Sequence, residues 1–147
     1  MLSVSLLPTD DLPAIRSLLE SSGLPTSDLE SAQPRFAVVR DGKTVIAAGA
    51  LQAFGAAALL RSVVVASDRR GGGFGRRIVR ELENVARAAQ ITQLILLTET
   101  ARDFFVRQGY RSIERSAVPP DIQMSEEFRA LCPSTAICMA KSLISSE

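Results

Sequence analysis

The sequence predicts a mixed α/β fold, a central sheet with helices on its faces, and three observations carry that expectation. Short apolar runs of strand length alternate with stretches whose apolar residues recur at helical spacing, in the order β-α-β-β-β-α-β-α-β with a further strand at the end. Asp41-Gly42 stands between two such runs, a pair suited to a two-residue hairpin because both positions need positive φ. An apolar run at 58–65 meets a helical stretch at 73–89 through a loop of glycines and arginines.

Taken in order, residues 3–7 read as the first strand. Thr9-Asp10-Asp11-Leu12-Pro13 supplies an N-cap, acidic first-turn residues and an early proline, and Leu12, Ile15, Leu18 and Leu19 share one face of the helix that follows. Gly23 and Pro25 end it, and 23–34 is a loop or short helix carrying Asp28 and Glu30. Strands at 35–40 and 44–53 flank Asp41-Gly42. Residues 45–60 are apolar except for Gln52, yet these sixteen residues fall short of the roughly twenty that a membrane helix needs, and Ala53-Phe54-Gly55-Ala56 can turn. Two buried strands in a hairpin are expected there, and no membrane partner. The helix at 73–89 keeps Ile78, Leu82, Val85, Ala86 and Ala89 at helical spacing. A buried strand at 93–98, a helix at 100–108, a strand at 110–115, a short helical piece near 125–131 and a last strand at 135–141 complete the order. No repeat, low-complexity tract or linker interrupts it, so residues 1–147 are expected to form a single domain; a chain of this size buries about 70% of its unfolded surface.

With 46% hydrophobic residues, 22% charged residues and a net charge of +1, the composition is that of an ordinary globular protein and argues against nucleic acid as the main partner. Basicity is local. Of fifteen arginines, Arg69, Arg70, Arg76, Arg77 and Arg80 flank the glycine loop, although a solvated helix face accounts for part of the Arg77, Arg80 and Arg87 set. The chain has no histidine, which removes His-based triads, His bases and most transition-metal sites. No metal is expected, and any acid or base must be a carboxylate, tyrosine, cysteine, backbone group or water. Cys132 and Cys138 read as buried thiols rather than a disulfide. The N-terminus lacks a basic segment followed by an apolar core, so a cytoplasmic location is the expectation.

Glycines let backbone N–H groups approach a ligand, and a helix that starts at the same point adds the positive end of its dipole. The loop is therefore suited to a phosphate ester. A Walker loop would need Gly-Lys-Ser/Thr, where Gly75 is followed by Arg76-Arg77; a dinucleotide fingerprint from Gly71 would need glycine at Arg76 and would start directly after the strand, where residues 66–70 intervene. A nucleotide or dinucleotide binder is thus the weaker reading of this loop. Arg70-x-x-Gly73-x-Gly75, with the strand before it and the helix after it, resembles the acyl-CoA signature of the GNAT N-acetyltransferase superfamily. Ala101-Arg102-Asp103-Phe104-Phe105-Val106-Arg107-Gln108-Gly109-Tyr110 is similar to a later segment of the same superfamily, a short helix with paired aromatics that ends at glycine. The two stretches cover roughly the second half of the chain.

The resemblance implies the GNAT acyl-CoA N-acyltransferase fold, with a mixed, mostly antiparallel sheet of about seven strands, and acetyl-CoA as co-substrate. It implies that the fourth and fifth strands part to admit the pantetheine arm, that Val63, Val64 and Val65 offer it backbone groups, and that Thr98 faces the gap. Backbone groups of Arg70, Gly71, Gly72, Gly73, Phe74, Gly75 and Arg76 would hold the pyrophosphate. The side chains of Val63 and Val65 read equally as core. Many relatives have a tyrosine that protonates the departing thiolate at the position of Phe105, and an asparagine at that of Thr98. Phe105 is expected to bind the cofactor there but leaves the acid role unfilled, so a catalytically weak CoA-binding or regulatory module is the competing reading.

Glu99, just after the fifth strand, is the candidate base; a surface carboxylate near a helix N-terminus is the alternative. Arg61 lies within an apolar run, and alternation puts it on the face of Val63 and Val65, where it either binds an acidic substrate or forms an internal ion pair. Asp28, Glu30 and Arg115 are further rim candidates, for each of which a solvated surface charge is the alternative. Ala58-Leu59-Leu60-Arg61-Ser62, Leu97-Thr98-Glu99-Thr100-Ala101 with Phe104-Phe105, and Glu127-Phe128-Arg129-Ala130-Leu131-Cys132-Pro133 resemble the small GNAT proteins of bacterial arsenic-resistance operons and the amino-acid acetyltransferases. The implied acceptor is a small-molecule amine, an amino acid or an organoarsenical, handled by a monomer or homodimer. A thiol site for trivalent arsenic at Cys132 is the minor variant.

Overall fold

A computed structural model of the chain describes residues 2–7, 12–24, 26–27, 34–125, 128 and 135–144. Seven strands, β1 (Leu2–Leu7), β2 (Arg35–Asp41), β3 (Thr44–Phe54), β4 (Ala57–Val65), β5 (Gln93–Thr98), β6 (Arg111–Ser112) and β7 (Ile137–Ser142), form one sheet in the order β1-β2-β3-β4-β5-β7-β6. Four α-helices accompany them among the described residues: α1 (Leu12–Ser21), α2 (Phe74–Ala88), α3 (Arg102–Arg107) and α4 (Pro120–Gln123). Hairpins at Gly42 (φ 60°) and Gly55 (φ 68°) make β2, β3 and β4 antiparallel, the second dividing the long apolar run as expected, and β1 pairs antiparallel with β2 after the chain has passed through α1. Among the described strands only β4 and β5 pair parallel, because α2 carries the chain across between them.

The strands' alternation sends apolar residues to both faces. Ile78, Val79, Leu82 and Ala86 of α2 pack over Ala37, Ala47, Leu51, Ala58 and Leu60 on one face. On the other, Ile15 and Leu19 of α1 cover Phe36, Val38, Ala48, Ala50 and Val64, while Ile122 of α4 joins Val118 and Phe128 over Ala57, Leu59, Ile95 and Cys138.

One irregularity resets this alternation. Ala48 pairs with Val64 and Ala50 with Arg61, so Ser62 and Val63 together oppose Gly49 and β4 carries a bulge. Ser62 adopts φ 58°, a left-handed conformation unusual for a residue with a side chain. Gly49 meets the bulge under α2: a Cβ there would stand 2.5 Å from Ile78 Cγ2 and 3.0 Å from Leu82 Cδ1. The extra residue corrects the expected placement of Arg61. It sits opposite Ala50, on the face of Ala57 and Leu59, whereas Val63 and Val65 pack toward α2. Simple alternation fails because it counts Ser62 as an ordinary strand residue.

Element ends differ from the sequence expectation in small ways. α2 and α3 are shorter at both ends, and the strand expected at 110–115 is reduced to Arg111–Ser112, followed by a single 3-10 turn at Arg115–Ala117. The expected cap at 9–11, Asp28, Glu30, Cys132 and most of 125–131 lie outside the described residues.

A largely buried polar cluster ties α2 to β7 and to the end of α3. Lys141 Nζ bonds both Glu83 carboxylate oxygens at 3.0 and 3.1 Å and donates to Gln108 O, at the end of α3, at 2.8 Å. Tyr110 donates its hydroxyl to Glu83 Oε2 at 2.9 Å, and burial, reinforced by the Glu83 charge, drives the phenol's pKa far up. Gly109, at φ 95°, makes the turn beneath Lys141.

Two substitutions measure these constraints in denaturant melts. Gly49→Ala is expected to lose about 1–3 kcal/mol by forcing Ile78 and Leu82 off the sheet. Tyr110→Phe is expected to lose about 1.5–3 kcal/mol, the worth of a hydrogen bond to a charged group.

Candidate active site

Parallel pairing between β4 and β5 is limited to Ala57–Gln93, Ala58–Leu94 and Leu59–Ile95. Beyond that point β4 follows β3 and β5 follows β7, so the two central strands part. The bulge lies on the parted section of β4, where its added twist turns the strand away from β5. Backbone groups in a parted section lack a ladder partner across the gap, so a ligand entering there meets unspent donors and acceptors. Val63 and Val65 put their side chains into the α2 core and Val64, 5% exposed, packs toward α1, which leaves the backbone as what they offer the gap.

β4 leads directly into the glycine loop. Ala66 N–H donates to Ile46 O at 2.8 Å, a 3-10 turn spans Ser67–Arg69, and Arg69 Nη2 donates to Asp41 Oδ2 at 2.8 Å, fastening the loop to the first hairpin. The Arg69 hydrogen bond and charge hold the Asp41 carboxyl below its usual 3.8. Arg70 Nε reaches Val65 O at 3.4 Å. Gly71 and Gly73 take φ 86° and 80°, and Gly73 is the N-cap of α2 without a side-chain cap bond. The helical ladder begins with Arg77 N–H to Gly73 O, so the amides of Phe74, Gly75 and Arg76 emerge at the positive end of the helix.

Gly75 has a protein reason to be glycine. A Cβ there would lie 3.3 Å from Phe104 Cζ and 3.7 Å from Val65 Cγ2, so α3 packs onto the start of α2 through that position. Phe104 makes an edge contact with Phe105 at 5.0 Å, and Phe105 another with Tyr110 at 5.6 Å. Phe105 is thereby core, 6% exposed, while its neighbour Phe104 faces the loop.

Thr98 ends β5 and accepts a hydrogen bond from Ala101 N–H at 3.0 Å, so its hydroxyl organises the turn into α3. Glu99 is exposed and accepts from Thr135 Oγ1 at 3.4 Å. Arg61, 3% exposed, donates from Nη1 to Gln52 Oε1 at 3.0 Å. Arg115 donates to Ala136 O and lies over the Phe128 ring, beneath β7. Cys138 is a buried thiol whose pKa burial pushes up to about 11. Among the described residues no group of three or more His, Cys, Asp or Glu could hold a metal ion, and no helix is long and apolar enough to cross a membrane. Gln52 and Phe104 escaped the sequence reading as site residues. Gln52 left a signal, as the one polar residue of 45–60.

The GNAT acetyltransferase domain model matches residues 32–112, from before β2 to β6, and so takes in both the parted strands and the loop. The chain belongs to the GNAT acetyltransferase family. GNAT enzymes are acetyl-CoA-dependent N-acetyltransferases with acetyl-CoA as co-substrate, and solved structures repeat this fold. The Mycobacterium tuberculosis protein Rv2747, solved in complex with CoA and a second ligand, is 26% identical, with a TM-score of 0.81 over 97% of this chain and 99% of that one. N-acetylglutamate synthase from Neisseria gonorrhoeae, complexed with coenzyme A and N-acetyl-glutamate, is 18% identical with a TM-score of 0.83; 99% of this chain matches 36% of that chain, so the GNAT domain here spans about a third of the synthase's length. The Escherichia coli ribosomal-protein-S18-alanine N-acetyltransferase is 18% identical with a TM-score of 0.75, over 100% of this chain and 97% of that one.

The packing of Phe104 on Gly75 generates a double-mutant test. Gly75→Ala is expected to destabilise the chain, and Phe104→Leu in the same chain to recover part of the loss, with a coupling of about 0.5–3 kcal/mol in urea melts. Additive losses would show that the ring does not set the glycine.

Proposed function

We propose that this chain transfers the acetyl group of acetyl-CoA directly to the amine of a small molecule that carries a carboxylate. The observation that carries the reading is the parting of β4 from β5 after Leu59–Ile95, with the glycine loop and the α2 N-terminus at the end of the parted strand. In this reading the amides of the 70–76 loop hold the pyrophosphate and backbone groups of Val63, Val64 and Val65 bind the pantetheine and polarise the thioester carbonyl. Thr98 and Phe105 shape the opposite wall, Thr98 through the turn it caps and Phe105 through the packing that seats Phe104. Residues 1–147 act as one domain in the cytoplasm, as a monomer or homodimer.

Chemically, the amine nitrogen forms the new C–N bond as the C–S bond breaks. The amine's proton passes to Glu99, exposed beyond β5, directly or through water. CoA departs as a thiolate and takes its proton from solvent, since a thiol with a pKa near ~8.5 is a good enough leaving group without an acid at Phe105. Arg61 supplies acceptor recognition: a guanidinium fork matches a carboxylate, and its place on the face away from Val63 and Val65 separates the acceptor's anion from the CoA phosphates. An amino acid is the favoured acceptor, and the stretches similar to arsenic-associated proteins put an amine-bearing organoarsenical in the same class.

Release of free CoA thiol, followed across a panel of amines, tests the reaction. Amino acids and related carboxylates are expected to turn over, and a best acceptor that is a polyamine, an aminoglycoside or a protein lysine would overturn the acceptor assignment. Binding of acetyl-CoA without turnover of any amine would favour the non-catalytic module. Arg61→Met is expected to raise the acceptor KM by about thirtyfold or more, corresponding to about 2–5 kcal/mol for a broken charge pair, with acetyl-CoA affinity unchanged. Arg76→Glu, at the exposed start of α2, is expected to do the reverse, weakening acetyl-CoA about tenfold and leaving the acceptor KM alone.

A further inference from the structure

Ser62 combines two features that each oppose folding. Its φ of 58° is the left-handed region, where Gly or Asn would be more comfortable than serine. Its Oγ is buried and has no hydrogen-bond partner among the described residues, while the residue as a whole is partly exposed. A hydroxyl withdrawn from water with nothing to bond to is a cost that native proteins rarely carry without a use. Both features fall on the bulge, three residues beyond the last β4–β5 pair and next in sequence to the buried Arg61.

We propose that Ser62 is a substrate-contacting residue, whose hydroxyl turns about χ1 into the parted strands and donates a hydrogen bond to a ligand oxygen there. The inference rests on the acetyl-transfer reading of the same cleft. The bulge presents the residue at the opening, and the unpartnered hydroxyl supplies the drive, because turning outward replaces a buried donor with a bonded one. The left-handed backbone is what a serine accepts in order to stand in the extra position. The ligand chemistry is a carbonyl or carboxylate oxygen with partial or full negative charge. Its two sources are the thioester carbonyl of acetyl-CoA and the carboxylate of the acceptor next to Arg61.

Ser62→Ala keeps the Cβ and the backbone strain and removes only the hydroxyl. The melting temperature of the ligand-free protein is expected to hold or rise, since an unsatisfied donor has gone. Calorimetry with acetyl-CoA and with CoA, together with the acceptor KM, separates the sources. A loss of about three- to tenfold in acetyl-CoA affinity, with CoA affinity unchanged, assigns the thioester carbonyl; a similar rise in acceptor KM, with both CoA affinities unchanged, assigns the carboxylate. If all three stay at the wild-type value, or if the melting temperature falls while they do so, Ser62 is structural and the inference is overturned. Ser62→Gly, which removes the hydroxyl and suits the left-handed conformation, gives the same readout should the alanine variant fail to fold. Failure of the wild-type chain to acetylate any amine would instead strike the reading on which this one rests.

Discussion

The constraint on which this architecture turns is the contact between α2 and β3 at Gly49. With no side chain at that position, Ile78 and Leu82 settle against the strand, and the bulge of Ser62 and Val63 sits directly across from it. A close helix on one side and an extra residue on the other give β4 a local twist at the point where it leaves β5. The divergence of two parallel strands in mid-sheet would ordinarily waste ladder hydrogen bonds. It persists here because each strand keeps its other neighbour, β3 for β4 and β7 for β5, and because α2 spans the two.

α3 depends on a second anchor. A six-residue helix is too short to hold itself, and it is fixed at its C-terminal end by Lys141, whose ammonium also engages the buried Glu83 of α2. The aromatic sequence Tyr110, Phe105, Phe104 then carries that anchorage to Gly75, the second residue of α2. A charged cluster on the α2 face of the sheet and a glycine at the loop are thus joined by edge-to-face rings, and the glycine that sequence reasoning would give to a ligand is also favoured by the close approach of Phe104.

The element order, both hairpins and the loop were legible in the sequence because they rest on local signals: apolar period, Asp41-Gly42, and glycines where φ turns positive. The bulge was not. Ser62 carries no turn signature, and its conformation follows from a register between strands that no window of residues encodes. One misplaced residue then put Arg61 on the wrong face. The candidate site divides in the same way. Gly71 and Gly73 could be read from their type, whereas Phe104 and the Arg61–Gln52 bond depend on which neighbours the fold delivers.

The reset of alternation at Ser62 also bears on how such a protein can change over generations. Upstream of it, Arg61 and Gln52 occupy one side of the sheet; downstream, Val63 and Val65 occupy the other, and the proposed function draws only on their main-chain atoms, which every residue type possesses. Replacements around Arg61 therefore leave the main chain at 63–65 and the 70–76 loop as they are. Under the roles proposed above, a lineage built on this frame could exchange one acceptor for another by drift on a single surface while the half proposed to hold acetyl-CoA is inherited intact.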